Sequence, residues 1–212
     1  MSNDHVGRVT QALASLCEPL HDAFAWAEQI RQDRLPELAT DPAYGWHGTH
    51  TVRALAHHKL RQLGRDLAPW TLTGNHSRNG ELWLYDGNYR IRVLHALSPT
   101  DVPPPGGNAA RRAYYRNLPL PTVDVLFGPP DDQLLALWRI HHATAMPAFR
   151  IVRPIGNWNF GSHAMTDLDF PLPQTAEALE EMQFEPTDED LGLDLPTEEQ
   201  EGGAEDAGGN AG

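Results

Sequence analysis

Helical spacing of apolar residues opens the chain. Apolar side chains recur every three or four positions in residues 3–34 and again in residues 50–64, a pattern that predicts amphipathic helices. We expect Pro19 to kink the first segment or split it in two, because proline lacks the backbone donor that a helix interior needs. Gly64 is expected to end the second segment. The first third of the chain is therefore predicted to be helical.

Apolar and polar residues alternate further along the chain. Residues 69–73 and 81–86 predict strands on either side of a loop rich in turn-forming residues, 74–80. Residues 122–127 form a third short apolar run that ends at a Gly-Pro-Pro stop, and residues 148–154 also look extended. Together with the helices, these strands predict an α+β fold with a small mixed sheet.

Three further segments complete the prediction. Residues 88–97 fit a strand or a helix, and the helix fits slightly better, with Asn88 as its cap. Residues 131–142 are predicted as a helix because acidic residues suit its first turn, with a strand return at 133–140 as the competing interpretation. A short helix rich in arginine and tyrosine is expected at 109–116.

Charge is distributed unevenly along the chain. The 212 residues carry 16 basic and 29 acidic side chains, a net charge of -13, yet every basic residue lies at or before Arg153. The segment from residue 175 is rich in Glu, Asp and Gly, a composition that cannot bury enough apolar surface to offset the entropy of ordering. We therefore expect a disordered acidic tail at 175–212.

The domain organisation follows from these shifts in composition. We expect an N-terminal helical extension at 1–44, an α+β domain at 45–155, an extended segment at 156–174 and the acidic tail. The sequence has no apolar run of about 18 residues, and its start lacks the basic and apolar regions of a signal peptide. A single cysteine excludes a disulfide framework. A cytoplasmic protein without a membrane partner is the expectation.

The Asp-Gly turn after the second strand carries the main candidate site. Gly87 permits a tight turn, and the N–H groups that follow it at Asn88, with the side chains of Arg90 and Arg92, would suit a bound phosphate. Asp86 would hold a metal ion or orient a water molecule. On a helix the two arginines point about 200° apart, so we expect loss of Arg90 to weaken binding more than loss of Arg92.

The order of elements around this turn resembles that of a known superfamily. The segments that carry the resemblance are the helix ending at Gly64, the strand starting near Pro69, the strand running into Asp86-Gly87, the Arg90–Leu97 helix, the strand at 120–125 and the closing helix at 131–142. Over residues 50–152 the chain resembles the ParB/sulfiredoxin-like superfamily, including its ParB-like nuclease and DGQHR-type domains. Gly87, Arg90 and Arg92 match the glycine and arginines of the ParB phosphate motif.

The resemblance implies a function for this turn. It implies binding of a nucleotide or of DNA through phosphate, with nuclease or nucleotide-hydrolysing activity as the catalytic form of the hypothesis. The cofactor is unknown; a divalent metal would accompany the nucleotide. His141 and His142 occupy about the place of a later family motif, and would act with Asp86 as catalytic groups by carrying protons. A non-catalytic binding or interaction module is the alternative.

A second group of residues also suggests nucleic acid. Arg111, Arg112, Tyr115 and Arg116 are interleaved, so that arginine would contact phosphate and tyrosine would contact a base. The alternative interpretation is a surface helix with one buried tyrosine.

Histidines are grouped near residue 50. His47, His50, His57 and His58 are predicted either to bind a transition metal or shuttle protons, or to be ordinary surface and core residues. The stretch 47–49, His-Gly-Thr, also resembles a motif of ADP-ribosyltransferases of the diphtheria-toxin type. An enzyme of that kind, centred on His47, is the third functional hypothesis.

Overall fold

The structure is a computed structural model that describes residues 3–118, 132–159 and 162–182. The helices are α1 Asn3–Leu13, α2 Cys17–Arg34, α3 Pro36–Thr40, α4 Gly45–Leu63, α5 Ala109–Tyr114 and α6 Ala176–Glu180. The strands are β1 Thr71–Thr73, β2 Trp83–Tyr85, β3 Tyr89–His95, β4 Asp132–Ile140, β5 Pro147–Ile155 and β6 Met165–Leu172. None of the described helices combines the length and apolar character required to cross a bilayer.

One mixed sheet contains all six strands in sequence order. Neighbouring strands are antiparallel except β3 and β4, which are parallel, with Tyr89 opposite Asp132 and His95 opposite Trp138. Parallel neighbours cannot be joined by a tight turn, and the described part of the connection between β3 and β4, residues 96–118, contains α5. The predicted α+β class with a mixed sheet is confirmed.

The first helical segment is split in two, as expected from Pro19. The break is a 3₁₀ turn at Ala14–Leu16, one turn before the proline. Pro19 has no N–H for the carbonyl of Ser15, and its ring crowds that carbonyl. Within the first turn of α2 the missing donor costs nothing, because N–H groups there have no partner inside the helix.

The helices and one face of the sheet share a hydrophobic core. The buried core residues from the helices include Val9, Leu13, Leu20, Phe24, Val52, Ala56 and Leu60. Phe24 of α2 packs on two strand residues, with ring centroids 4.8 Å from Trp138 and 5.1 Å from Phe149. Residues 3–34, which the sequence suggested as part of an extension, thus contribute to the same core as the strands.

Residues 89–95 form a strand, so the helix predicted at 88–97 is wrong. The segment pairs with β2 as an antiparallel hairpin, and its inward side chains, Tyr89, Ile91 and Val93, alternate with Arg90 and Arg92. Alternation of this kind satisfies a sheet with one apolar face. The helix that the ParB-like order of elements requires after Gly87 is therefore replaced by a strand.

The helix predicted at 131–142 is also wrong. The competing interpretation of 133–140 as a strand is right, but this strand, β4, pairs with β3 and β5 rather than in a hairpin with the segment before it. β4 buries Leu134, Ala136 and Trp138 against the helices, while Leu135 and Leu137 belong to a second cluster on the opposite face. The sequence of a central strand that is covered on both faces is a continuous apolar run. Such a run is also compatible with a buried helix, which explains why the helix was predicted here.

The disorder predicted from residue 175 is wrong for its first residues. Thr175 caps α6 by accepting a hydrogen bond from the backbone N–H of Ala178 at 3.2 Å, and Leu179 is buried in the main core. The rest of the predicted tail, 183–212, lies outside the described residues. The strand predicted at 122–127 lies outside them too.

Candidate phosphate-binding site

The β2–β3 hairpin places two arginines over two aromatic rings. Trp83 pairs directly with Arg92, and Tyr85 pairs directly with Arg90. The guanidinium carbon of Arg92 lies 5.3 Å from the Trp83 ring centroid, and that of Arg90 lies 5.6 Å from the Tyr85 ring centroid. Residues two apart on a strand face the same side, so the divergence expected from a helix does not occur.

Asp86 builds the turn of this hairpin. Its Oδ1 accepts hydrogen bonds from the backbone N–H groups of Asn88 at 2.8 Å and Tyr89 at 2.7 Å. Gly87 between them has a φ of 105°, a value that residues with a Cβ rarely adopt. The carboxylate proposed for catalysis and the N–H of Asn88 proposed for phosphate are thus hydrogen-bonded to each other.

Tyr114 of α5 contacts the face of the sheet on which Arg92 and Trp83 lie. The Tyr114 hydroxyl lies 2.6 Å from the carbonyl oxygen of Arg90 and 2.8 Å from that of Leu134, so it links β3 to β4. The ring of Tyr114 also packs edge-on against Trp83, with centroids 4.9 Å apart. Residues of α5 are thereby held beside the hairpin.

Tyr115 has a structural position rather than the nucleic-acid contact predicted for it. The side chain is buried, and its hydroxyl donates to the carbonyl oxygen of Pro103 at 2.5 Å. Burial raises the pKa of Tyr115 to about 12. A ring enclosed in this way has no face to offer to a base.

Arg92 is the electrostatic centre of the site. It is only 8% exposed, and its pKa is lowered, first by burial and then by the positive charge of Arg111. No carboxylate or carbonyl of the described residues forms an ion pair or hydrogen bond with its guanidinium. The guanidinium lies over the Trp83 ring, and weaker opposing effects on its pKa come from Tyr115, Tyr114 and the carboxylate of Glu81.

Further arginines surround this centre. Arg111, Arg112 and Arg116 are exposed on α5 and just after it. The Arg112 guanidinium donates to the carbonyl of Gly107 at 3.3 Å. The two arginine groups that the sequence suggested separately therefore meet where Arg111 approaches Arg92.

His141 and His142 lie at the far end of the sheet from the hairpin turn. They follow Ile140, the last residue of β4, whereas Asp86 precedes the first residue of the parallel strand β3. The nine residues of β4 span ~30 Å at ~3.3 Å per residue. The two histidines therefore do not share a pocket with Arg90, Arg92 and Asp86.

The histidines of α4 form no metal site in the structure. No group of three or more His, Cys, Asp or Glu side chains suited to a metal ion occurs among residues 3–118, 132–159 and 162–182. His57 instead stacks on His76, with ring centroids 3.8 Å apart and planes 8° apart. His47 lies in the first turn of α4, with its Nδ1 3.5 Å from the Thr51 hydroxyl.

Sequence reasoning missed the aromatic half of the site. Trp83 and Tyr85 were assigned to a strand, but their pairing with Arg92 and Arg90 appears only when 81–95 is treated as a hairpin. The alternation of arginine with tyrosine, isoleucine and valine in β3 was the available signal.

Comparisons with family models, with curated proteins and with solved structures found no significant match to this chain.

Proposed function

We propose that the outer face of the β2–β3 hairpin binds the phosphate of a nucleotide or nucleic acid through Arg92, with Arg90 and Arg111 beside it. One observation carries the proposal: Arg92 is buried and forms no ion pair with a described residue, and burial and Arg111 lower its pKa more than Glu81 and the tyrosines raise it. A buried charge without a partner costs several kcal/mol. An anion at this position would offset that cost.

The geometry suits an oxyanion with several acceptor oxygens. The Arg92 guanidinium lies over the Trp83 ring, 5.3 Å from its centroid, and carries its N–H donors in one planar fork. Two of these N–H groups match two oxygens of one phosphate. Arg90 and Arg111 add positive charge at the rim, which favours approach of a polyanion.

Binding is better supported than catalysis. Asp86 is engaged by two backbone N–H groups of its own turn, and the histidines assigned to proton transfer lie at the other end of the sheet. We therefore favour the non-catalytic module among our hypotheses. Membership of the ParB/sulfiredoxin-like superfamily stays a prediction, and the proposal does not depend on it.

Titration of the purified chain with phosphate ligands tests the proposal. Arg92→Met keeps most of the side-chain length over Trp83 but removes the charge, and it should weaken binding of a labelled single-stranded oligonucleotide or of ATP by at least about tenfold. Arg65→Met, at an exposed position outside the hairpin, is the control and should bind like the wild type. Tighter binding of the oligonucleotide than of ATP would identify nucleic acid as the ligand.

Two results would contradict the proposal. The first is that the wild type binds neither ligand at low salt. The second is that Arg92→Met binds both ligands as the wild type does. A wild-type affinity that does not change between low and moderate salt would also argue against phosphate contacts.

A further inference from the structure

A second group of basic side chains lies between α4 and the loop that joins β1 to β2. Arg53 and His57 are four residues apart on α4 and so lie on one side of the helix. The Arg53 Nη2 is 2.9 Å from the Nδ1 of His50 and donates to the carbonyl oxygen of Asn79 in the loop at 3.0 Å. His57 stacks on His76 of the same loop. We call Arg53, His50, His57, His76 and the nearby His95 the α4 basic cluster.

The loop is fitted closely around Arg53. A Cβ atom at Gly80 would come within 3.0 Å of the Arg53 Nε and Nη2, and Gly80 has a φ of 67°, which favours glycine. His76 is fixed by a contact of 3.1 Å between its Nδ1 and the carbonyl oxygen of Glu81. These contacts hold the guanidinium and the imidazoles in one arrangement.

The α4 basic cluster has no acidic partner among the described residues. Arg53 is half-buried; its Nε is inaccessible to solvent and has no hydrogen-bond partner. Burial lowers the pKa of Arg53, and burial followed by the charge of Arg53 lowers the pKa of His95. Burial also lowers the pKa of His57, with smaller effects from its basic neighbours His76, Arg61 and His58.

Positive groups that repel one another at half-buried positions need a reason to be together. The described residues contain no cluster that suits a metal, and the parallel stack of His57 on His76 does not direct two ring nitrogens at one point. An anion suits such a group better than a metal ion, because guanidinium and imidazolium N–H groups both donate to oxyanions.

We propose that the α4 basic cluster binds a tetrahedral oxyanion, a phosphate or sulfate group, and binds it more tightly as the pH falls. This site is separate from the Arg92 site and does not rest on the function proposed there. Arg53 supplies the permanent charge. His57 and His95 add charge when they are protonated.

The sign of the pH dependence follows from linkage. An anion favours the protonated imidazoles, so binding takes up protons, and the affinity must rise as the pH falls. The ordinary pKa of histidine is about 6.5, and the lowered pKa values of His57 and His95 place the effect below that pH. Affinity should therefore change little above pH 7 and increase towards pH 5.5.

Sulfate is the probe of choice because it remains a dianion throughout this range. We would measure the melting temperature of the full chain against sulfate concentration at pH 7.5 and pH 5.5, with sodium chloride holding the ionic strength constant. The wild type should bind sulfate roughly tenfold more tightly at pH 5.5, the scale of one added charge-assisted hydrogen bond. In the Arg92→Met background, where the other proposed oxyanion site cannot contribute, Arg53→Gln should lose the saturable part of the stabilisation at both pH values.

Matched variants separate the site from the general effect of sulfate. Sulfate stabilises folded proteins by exclusion from their surface, and Arg65→Gln should show the wild-type response. His57→Gln should keep binding at pH 7.5 and lose much of the gain at pH 5.5. Because the Arg92 site would also take sulfate, Arg92→Met is used as the background: the sulfate response that remains in it should depend on Arg53.

The ligand source is resolved by comparing inorganic phosphate with AMP at pH 5.5. Equal affinities indicate a site for the free oxyanion, and tighter binding of AMP indicates a nucleotide phosphate; both support the proposal if Arg53→Gln abolishes them. The proposal is overturned if the wild type gives no saturable response to sulfate, if Arg53→Gln responds as the wild type does, or if affinity is equal at the two pH values.

Discussion

Two buried arginines of the same sheet have opposite surroundings. Arg153 in β5 donates from Nε and Nη2 to Asp132 at 3.1 and 2.9 Å, from Nη1 to Asp167 at 2.6 Å, and from Nη2 to the Leu118 carbonyl at 3.0 Å. Arg92 in β3 is buried almost as deeply, 8% exposed against 4%. It lies over a tryptophan ring and forms no ion pair among the described residues, and Arg111 affects its pKa more than Glu81 does.

The difference distinguishes Arg153, whose charge stabilises the fold, from Arg92, whose charge is available to a ligand. The Arg153 network joins β4, β5 and β6, and the Nε2 of His5 in α1 extends it by lying 3.2 Å from the Asp132 Oδ2. Each charge there is met by one of opposite sign. The hairpin arginine is buried but forms no ion pair with a described residue, which is the arrangement expected of a ligand-binding group.

Removal of Arg153 should have the largest effect. Arg153→Met removes the cation that the buried Asp132 and the half-buried Asp167 both contact, and we expect the free energy of unfolding to fall by about 3–5 kcal/mol. Arg92→Met removes a charge that no described residue compensates, so stability should stay within about 1 kcal/mol of the wild type or rise. Urea denaturation measures both. Equal losses would show that the two arginines have the same structural role.

Asp132→Asn should have an intermediate effect that depends on pH. Burial alone would raise the pKa of Asp132, but the His5 contact and Arg153 outweigh it and lower the pKa. A lowered folded-state pKa contributes stability above the ordinary value of about 3.9, and this is lost as the pH falls through the folded pKa. The variant should be about 1.5–3 kcal/mol less stable at pH 7 and should lose less stability than the wild type below pH 4.

Acid denaturation of Arg92→Met provides the control for Asp132→Asn. Since Asp132 is unchanged in that variant, its stability should fall with pH as steeply as that of the wild type. Identical acid profiles for Asp132→Asn and the wild type would contradict the role given to this carboxyl.

The smallest effect is expected at Arg90. This residue is exposed beside Tyr85, so Arg90→Met should change the free energy of unfolding by no more than about 0.5 kcal/mol. Phosphate-ligand affinity should fall only a few-fold, less than for Arg92→Met. This order reverses the one expected from a helix. A larger loss of affinity for Arg90→Met than for Arg92→Met would show that Arg90, rather than Arg92, is the main phosphate contact.

The sequence predicted local elements well where one periodicity dominated. The helical spacing before residue 64 and the alternation at 69–73 and 81–86 led to the right elements. Errors occurred at 88–97 and 131–142, where apolar residues satisfy both periods. Whether these segments form a helix or a strand depends on tertiary contacts. Leu135 and Leu137, for example, are buried in a second cluster that includes Tyr114 of α5, and the sequence does not show that contact.

The candidate site was predictable in part. Arg90 and Arg92 were singled out by their place after Gly87, and Arg111 by its basic neighbours. Their convergence depends on the hairpin register and on the Tyr114 hydroxyl that ties α5 to β3, which are long-range contacts. The same limit hid the stack of His57 on His76, since a loop brings those residues together.

The parallel pairing of β3 with β4 has a kinetic consequence. β1, β2 and β3 follow one another as antiparallel neighbours, and so do β4, β5 and β6, so each half of the sheet can form from contacts close in sequence. Joining the halves requires closure of the crossover between residues 95 and 132, which costs entropy before any new contact compensates for it. We therefore expect the pairing of β3 with β4 to form late in folding. Shortening the side chain of Ile91 or Leu134, which are paired across these strands, should accelerate unfolding more than it slows folding.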